Sequence, residues 1–495
     1  MRRVWRLLRL DRPPPGGLDR AVQTVARWWL PFLLLFTAVL YLPLLDARPL
    51  RFEEGRRAVQ ALEILAGGSW WYLEVLGEPY VNKPPLLPWL MVVASWFTGG
   101  LNEWAVRLPA VVSVAVGAVS AGAMARLLVP ARGRLAALAA GVAFLSCAFI
   151  FTKARLGETD TLVTAFCGLA FLVWAWARMR GQLNGLAWFA VWAFLAAAAF
   201  TKGPIPLFFP AVALLLVPLL QRRWREAALA LLVLVLSLGP LGLWAAINLA
   251  DDGIQGWARE MRVGGRGGPG PDYWWGLLHL NQVPNAIVYT LPWCLPAALL
   301  VGASWSERRQ KGWPVLALLL FAVPFALVVL LWSEARPRYA MPIVWPVAAL
   351  AGGWIALTWQ RGRLAIALLV GGALFIVIHQ AILLGIFEGR TKAQVAYRAK
   401  VEALATAVAP LPAGTLLLVD SAVEPDHDAL AYAGRPLQRI RIADGLCPKE
   451  GQYLLVSEPD RAAVEASGDW SLKADIAGTW MGLYERDSAR CPLGR

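Results

Sequence analysis

Apolar and polar positions along the chain alternate in long blocks, not at the two-residue or 3.6-residue spacing of an ordinary soluble fold. Uninterrupted apolar runs occupy about 28–45, 106–127, 134–151, 161–178, 184–201, 203–220, 226–249, 284–303, 313–332, 339–358 and 364–387. Each approaches the roughly 20 residues that an α-helix needs to cross a bilayer. A twelfth run, 84–98, is shorter and opens on Pro84-Pro85. Its length fits an interfacial or re-entrant segment better than a span. Beyond about residue 390 the blocks give way to mixed polar sequence. Thr415–Val419, Tyr453–Val456 and Trp480–Tyr484 read as strands there, and His427–Ala433 and Pro459–Ala466 as helices. The expected architecture is mostly α, a polytopic membrane protein with about eleven transmembrane helices plus a small C-terminal α/β domain of about a hundred residues.

Charge fixes the orientation that this pattern leaves open. The segments Arg126 to Arg134, Arg178 to Arg180, Gln221 to Arg225, Glu307 to Lys311 and Gln360 to Arg363 are short and rich in Arg, and the amino terminus carries Arg2, Arg3, Arg6, Arg9 and Arg12. All fall on one side when 84–98 lies flat, which the positive-inside rule assigns to the cytoplasm. The expected division is a basic cytoplasmic segment 1–27, read as preceding an uncleaved anchor, a membrane domain 28–387, and an extracytoplasmic domain 388–495. The membrane domain would carry outer-face loops 46–105 and 250–283. Membrane lipids are the expected surroundings.

Composition agrees: 58% of the 495 residues are hydrophobic and only 16% charged, against about a quarter charged in soluble domains. The formal net charge of +14 is absorbed by the cytoplasmic loops, and no basic patch lies on a soluble element, so nucleic acid is not an expected partner. Cys147, Cys167 and Cys294 fall in apolar runs as packing residues. Cys447 and Cys491 lie in the tail, where an oxidising compartment would let them pair. No spacing of Cys, His or acidic residues resembles a metal site.

Several charges break the topological bias. Lys153, Arg155, Lys202, Arg259, Arg262, Arg266, Arg336 and Arg338 fall on the outer side, which calls for an anionic ligand there. Opposite them stand acids: Glu53 and Glu54 before an amphipathic stretch, Arg57–Ala66, read as lying on the membrane surface, and Asp160 at the start of a span. Helix capping alone explains one such acid; the gathering of these acids on one face favours a site. Lys83 precedes Pro84-Pro85, which hold its backbone extended, and a lysine fixed in that way suits a phosphate. Gly264–Gly270, with Arg266 inside it, reads equally as a surface loop or as a segment closing over substrate.

Three segments then carry a resemblance: Glu53-Glu54-Gly55-Arg56-Arg57, Gly77 to Pro85 with Asn82-Lys83-Pro84-Pro85, and Asn102 to Pro109. Together with Arg155–Asp160, Thr201–Pro204 and Glu334–Pro342, they resemble the GT-C membrane glycosyltransferases, glycosyltransferase family 39. The aminoarabinose-to-lipid A transferases and bacterial relatives of protein O-mannosyltransferases are the branch in question. The resemblance covers about 30–350. It implies transfer of a hexose or pentose from a polyprenyl-phosphate-linked donor to an acceptor hydroxyl of an envelope lipid, glycan or protein, at the outer face of a bacterial cytoplasmic membrane. It places Glu53 as base or acceptor-binding acid, with Glu54 beside it and Asp160 as the second acid. Lys83, with Arg56, Lys202 and Arg338, is placed at the donor phosphate. Tyr80, Asn82, Glu260, Arg262, Arg266 and Tyr339 form the substrate-facing set. Two positions depart from the family: Glu53 replaces its usual Asp, and Asn82 stands where relatives carry a Glu able to bind metal. An amide is a poor ligand for a divalent ion, so no cofactor is expected. Direct attack of the hydroxyl would invert the sugar's anomeric centre. A lipid or solute transporter (a flippase) and an inactive scaffold of the same fold are the rival classes; a transporter normally shows paired repeats and broken mid-membrane helices, and no repeat is evident.

Overall fold

The computed structural model describes residues 15–51, 53–248, 287–306, 313–331, 337–387, 390–412, 414–420, 427–440, 442, 451–476 and 481–487. Glu260, Arg262, Arg266, the glycine-rich stretch, Cys447 and Cys491 lie outside the described residues, as do the segment Glu307–Lys311 and the whole 250–283 loop.

The chain is mostly helical. In order it forms α1 (Gly16–Arg27), α2 (Trp29–Tyr41), α3 (Glu53–Leu65), a two-residue hairpin β1 (Glu74–Val75) and β2 (Glu78–Pro79), α4 (Leu86–Thr98), α5 (Glu103–Leu128), α6 (Gly133–Leu145), α7 (Ala148–Lys153), α8 (Asp160–Met179), α9 (Gly185–Lys202), α10 (Phe208–Leu220), α11 (Trp224–Ser237) and α12 (Gly239–Asn248). Then follow α13 (Cys294–Ser306), α14 (Trp313–Leu331), a 3-10 segment Pro337–Ile343, α15 (Val344–Thr358) and α16 (Arg363–Ile382). The C-terminal part holds α17 (Lys392–Val408), β3 (Leu417–Asp420), α18 (His427–Leu430), β4 (Leu437–Ile440), β5 (Tyr453–Ser457), α19 (Glu458–Ser467), β6 (Trp470–Asp475) and β7 (Met481–Arg486).

Among the described residues, six helical stretches are long and apolar enough to cross a membrane, and α1 with α2, bent by 91°, would make a seventh. Four shorter apolar helices accompany them, α4 among them. Several expected runs are broken. The run 134–151 divides at Ser146-Cys147 into α6 and α7, and the run 203–220 starts as a 3-10 turn through Ile205–Leu207 before α10. Helix α6 has 12 of its 13 residues buried and packs between α5 and α15, so a helix apolar all round after Arg134 sits in the middle of the bundle.

The C-terminal strands form one five-stranded sheet in the order β4-β3-β5-β7-β6. β3 runs parallel to β4 and β5, while β7 is antiparallel to β5 and β6. Every side chain of β3 and β5 is buried, as expected for central strands covered on both faces. One face shares a core with α3 and the start of α4.

That shared core corrects the reading of α3. The apolar stripe expected on the membrane surface is covered by protein: Ala58, Leu62 and Ile64 are buried, in one cluster with Ala429, Leu430, Leu437 and Leu455. A stripe at helical spacing shows that a face is covered, not by what.

Candidate active site

Five separated segments meet in one cleft. Helix α3 contributes Glu53 and Arg57, the segment before α4 contributes Lys83, and the loop entering α8 contributes Glu158, Thr159 and Asp160. The end of α9 contributes Lys202 and the 3-10 segment contributes Arg338. Four basic side chains face three carboxylates, an excess of one positive charge when Lys83 is protonated and before Arg56 and Lys153 are counted.

Glu53 sits in the first turn of α3, where a carboxylate favours the helix dipole. Its Oε2 lies 3.4 Å from Arg57, 3.8 Å from Lys83 and 3.8 Å from Arg56, and its side chain is 28% exposed. Burial opposes its charge, but the fields of Lys83, Arg57, Arg56 and Arg338 outweigh burial and lower its pKa to about 2. Lys83 responds in the opposite sense. Burial and crowding by Arg57 and Lys202 exceed the support of Glu53 and Asp160, and its pKa falls to about 7. The cleft's own charges therefore leave an ionised, weakly basic carboxylate next to a lysine poised to gain a proton when an anion arrives.

The other side of the cleft is built from helix ends. Asp160 is the first residue of α8, and the preceding Thr159 makes no side-chain cap. The Asp160 carboxylate instead accepts from the Lys202 ammonium, so capping does not account for it. Lys202 ends α9, where Gly203 adopts a φ of 87°; a side chain at that position would be strained, and the turn leaves the lysine at the helix end. The ammonium also lies 4.3 Å from the centre of the Tyr339 ring, with the Arg338 guanidinium 6.0 Å from it, within cation–π range. Glu158 ties the set together, accepting from Lys153 at 2.8 and 3.0 Å and from Arg338 at 3.2 Å.

Glu53, Lys83, Asp160, Lys202 and Arg338 thus come together as the sequence suggested. Other candidates are placed differently. Glu54 is fully buried and does not line the cleft; Arg107 grips it at 2.8 and 3.0 Å, and the N–H groups of Gly157 and Arg51 donate to it at 2.9 and 3.2 Å. Burial opposes its ionisation, yet Arg107, Arg48 and Gly157 hold its pKa below the ordinary carboxylate range. It is a buried tie between α3 and the loop bearing Glu158 and Asp160. Tyr80 is buried, accepts from Arg57 at 2.7 Å and lies under its guanidinium, so it positions Arg57. Asn82 does not line the cleft. Arg155, read among the cations calling for a ligand, instead donates to the carbonyls of Tyr41, Pro43 and Leu44 at the end of α2.

Arg57 and Glu158 were not singled out from the sequence. Arg57 had a signal, standing four residues after Glu53 on one helix face. Glu158 had only its neighbour Asp160. Among the described residues, no three His, Cys, Asp or Glu side chains gather in a way that could hold a metal ion.

The Arg107–Glu54 pair yields one expected result. Arg107→Ala leaves a buried carboxylate without its partner, which should cost about 3–5 kcal/mol of stability. Thermal unfolding in detergent should show a large drop in midpoint; an unchanged midpoint would contradict the structural role.

The chain is similar to several known proteins. A family profile described as dolichyl-phosphate-mannose-protein mannosyltransferase matches residues 82–244. The chain is 25% identical over 380 residues to the undecaprenyl phosphate-alpha-4-amino-4-deoxy-L-arabinose arabinosyl transferase of Edwardsiella ictaluri, a match covering 71% of this chain and 63% of that one. It is 30% identical over 310 residues to the enzyme of the same name from Pseudomonas aeruginosa, covering 61% and 54%. The matches therefore span less than two thirds of the length of these relatives. The crystal structure of ArnT from Cupriavidus metallidurans bound to undecaprenyl phosphate superposes with a TM-score of 0.65 at 18% identity, covering 97% of this chain and 99% of that one. This chain shares the fold of that ArnT structure. In sequence it is similar to the mannosyltransferase profile over residues 82–244 and to the arabinosyl transferases at 25% and 30% identity.

Proposed function

We propose that the protein is a glycosyltransferase that moves a sugar from a polyprenyl-phosphate-linked donor to a hydroxyl of an envelope lipid, glycan or protein. The reaction takes place at the outer face of the bacterial cytoplasmic membrane. The observation that carries this reading is the juxtaposition of the partly exposed Glu53 carboxylate with Lys83, Arg57, Lys202 and Arg338 in one cleft.

The chemistry needs two things from the protein. Breaking the sugar–phosphate bond leaves charge on the phosphate oxygens, and fixed cations stabilise that charge as it develops. Lys83, Lys202 and Arg338 supply it, Arg338 held by Glu158 and Lys202 by Asp160 and Tyr339. The attacking hydroxyl must lose a proton, and Glu53, the most exposed of the cleft's three carboxylates, takes it. Among these cations alone Glu53 is a weak base. A phosphate among the cations offsets part of their field, so the basicity of Glu53 rises as the donor binds. Direct attack inverts the anomeric centre. Four basic side chains facing three carboxylates support a reaction without a divalent metal.

The topology that goes with this reading has eleven spans, α4 lying along the outer face, and the C-terminal sheet extracytoplasmic with the cleft. The Arg-rich loops on the opposite side support it. The test is reconstitution with undecaprenyl-phosphate-linked aminoarabinose and other polyprenyl-phosphate sugars, with envelope lipids as acceptors, followed by mass spectrometry. Glycosylated acceptor and released polyprenyl phosphate are expected; donor left intact with every acceptor contradicts the proposal.

Lys83 gives the binding step a pH dependence. A donor with an amine-free sugar is a phosphodiester of constant charge between pH 6 and 9, so any change belongs to the protein. Lys83 is charged below about 7 and loses its proton above it, whereas a bound phosphate favours the charged form. Affinity should therefore be flat below about pH 7 and fall above it, by up to about tenfold per unit. Isotherms of donor binding from pH 6 to 9 check this, and Lys83→Arg should remove the slope. A flat wild-type profile contradicts it.

A further inference from the structure

We propose that Asp428, in the C-terminal α/β segment, is a positioning residue for the sugar-transfer reaction: it caps the helix that carries Glu53 by accepting the Gly55 N–H. The inference rests on the reading of Glu53 as the base.

The first N–H groups of a helix have no partner within it. In α3 the Glu54 N–H donates to the Arg51 carbonyl at 3.1 Å, and the Gly55 N–H donates to Asp428 Oδ1 at 2.9 Å. A cap normally comes from the residue just before the helix; this one comes from 373 residues further along the chain. The two positions are matched. A Cβ on residue 55 would stand 2.3 Å from Asp428 Oδ1 and 2.4 Å from its Cα, so the close approach of α18 requires glycine.

The cap is part of a wider clasp. The far end of α3 is held where Glu63 accepts the Leu437 N–H at 3.2 Å. The loop before α3 is held where the Leu50 N–H donates to the Tyr432 hydroxyl at 2.8 Å, and that hydroxyl donates to Glu103 at 2.9 Å. Helix α3 thus presents one face to the C-terminal sheet and its Glu53 and Arg57 side to the cleft. The hydrogen bond from Gly55 to Asp428 links the C-terminal segment to the backbone of α3. Lys83, Lys202 and Arg338 sit on other elements, so losing the cap should displace the base while leaving the phosphate site in place. A displacement of about 1 Å from reacting geometry can cost on the order of a hundredfold in rate.

The test is transfer by the full-length, reconstituted protein. Asp428→Ala should lower kcat by about 10- to 100-fold, with donor KM within about threefold and the number of donor-binding sites per protein unchanged. Asp428→Asn keeps an acceptor oxygen and should recover most of the loss. Gly55→Ala, which pushes on Asp428 from the other side, should repeat the alanine signature. The acid limb of the pH–rate profile should stay where it is in wild type, because the cap acts through geometry. Deuterium uptake should rise in peptides covering the start of α3 and not in those covering α4. A kcat within twofold of wild type, a loss of donor sites in proportion to the rate, or unchanged uptake at the start of α3 would overturn the proposal. Absence of transfer by the wild-type protein would instead count against the glycosyltransferase reading, with the uptake measurement still deciding whether Asp428 caps α3.

Discussion

Replacing Glu53 by Gln is expected to cut the transfer rate by about 10²–10⁴-fold, the usual worth of a positioned general base, while donor binding holds or tightens. Glutamine keeps the length of the side chain and an oxygen that can accept from Arg57, but it cannot take the proton of an attacking hydroxyl. It also removes a negative charge 3.8 Å from Lys83, which favours an anion in the cleft. The two effects separate in a single-turnover experiment: the bound fraction at a given donor concentration stays the same or rises, and the rate from the bound state collapses. The other cleft acids do not replace Glu53. Asp160 is 4% exposed and engaged by Lys202, and Glu158 is held between Lys153 and Arg338. A Glu53→Gln variant that transfers at the wild-type rate would remove Glu53 from the mechanism.

Lys83→Ala is expected to cost about 10²–10³-fold, the range seen when one preorganised donor to a developing anion is lost. Unlike the Glu53 variant, it should weaken donor binding as well as slow the step. It also changes the base. Among the neighbouring cations, Lys83 contributes most to holding Glu53 at about 2. Without it the folded-state pKa of Glu53 rises toward the ordinary carboxylate range, so the acid limb of the pH–rate profile moves to higher pH. A rate loss without that movement would mean that Lys83 and Glu53 do not share a field. A movement to lower pH would reverse the sign of the electrostatic account.

The sequence carried the main lines of the site because its residues are exceptions to simple rules. Lys202, Arg338 and Asp160 stand at the outer ends of apolar runs, where topology alone gives no reason for charge, and Lys83 is set by the two prolines that follow it. Counting spans brought them to one face, and the structure brings them into one cleft. Glu53 and Glu54 could not be told apart in that way. They are adjacent and chemically alike, and what separates them is Arg107, 53 residues further on, which draws one carboxylate inward. No local pattern encodes that choice. Arg57 was within reach of a helical-spacing argument, whereas Glu158 needed the fold to place Arg338 beside it.

The same distinction runs through the architecture. Long apolar runs were legible as helices, but the breaks at Ser146-Cys147 and Pro204–Pro206 shorten them, and nothing in a run of apolar residues says where it divides. Strands β3, β5 and β7 announced themselves as dense apolar segments. β4 and β6 did not: Leu437-Gln438-Arg439-Ile440 is short and half polar, and β6 exposes four of its six residues. Helix α17 was absent from the reading because its polar composition gives only a weak stripe. The cover of α3 was misread for a related reason, since the elements that bury it lie more than 350 residues away in sequence.

The configuration of the transferred sugar tests the central claim most directly. Wild-type protein, a polyprenyl-phosphate sugar of known anomeric configuration and a hydroxyl-bearing lipid acceptor would be reacted to completion, and the C1 configuration of the product read by NMR. Direct attack by a hydroxyl deprotonated at Glu53, with phosphate leaving toward Lys83, predicts a glycosylated acceptor of inverted configuration. A product that keeps the donor's configuration would contradict that account.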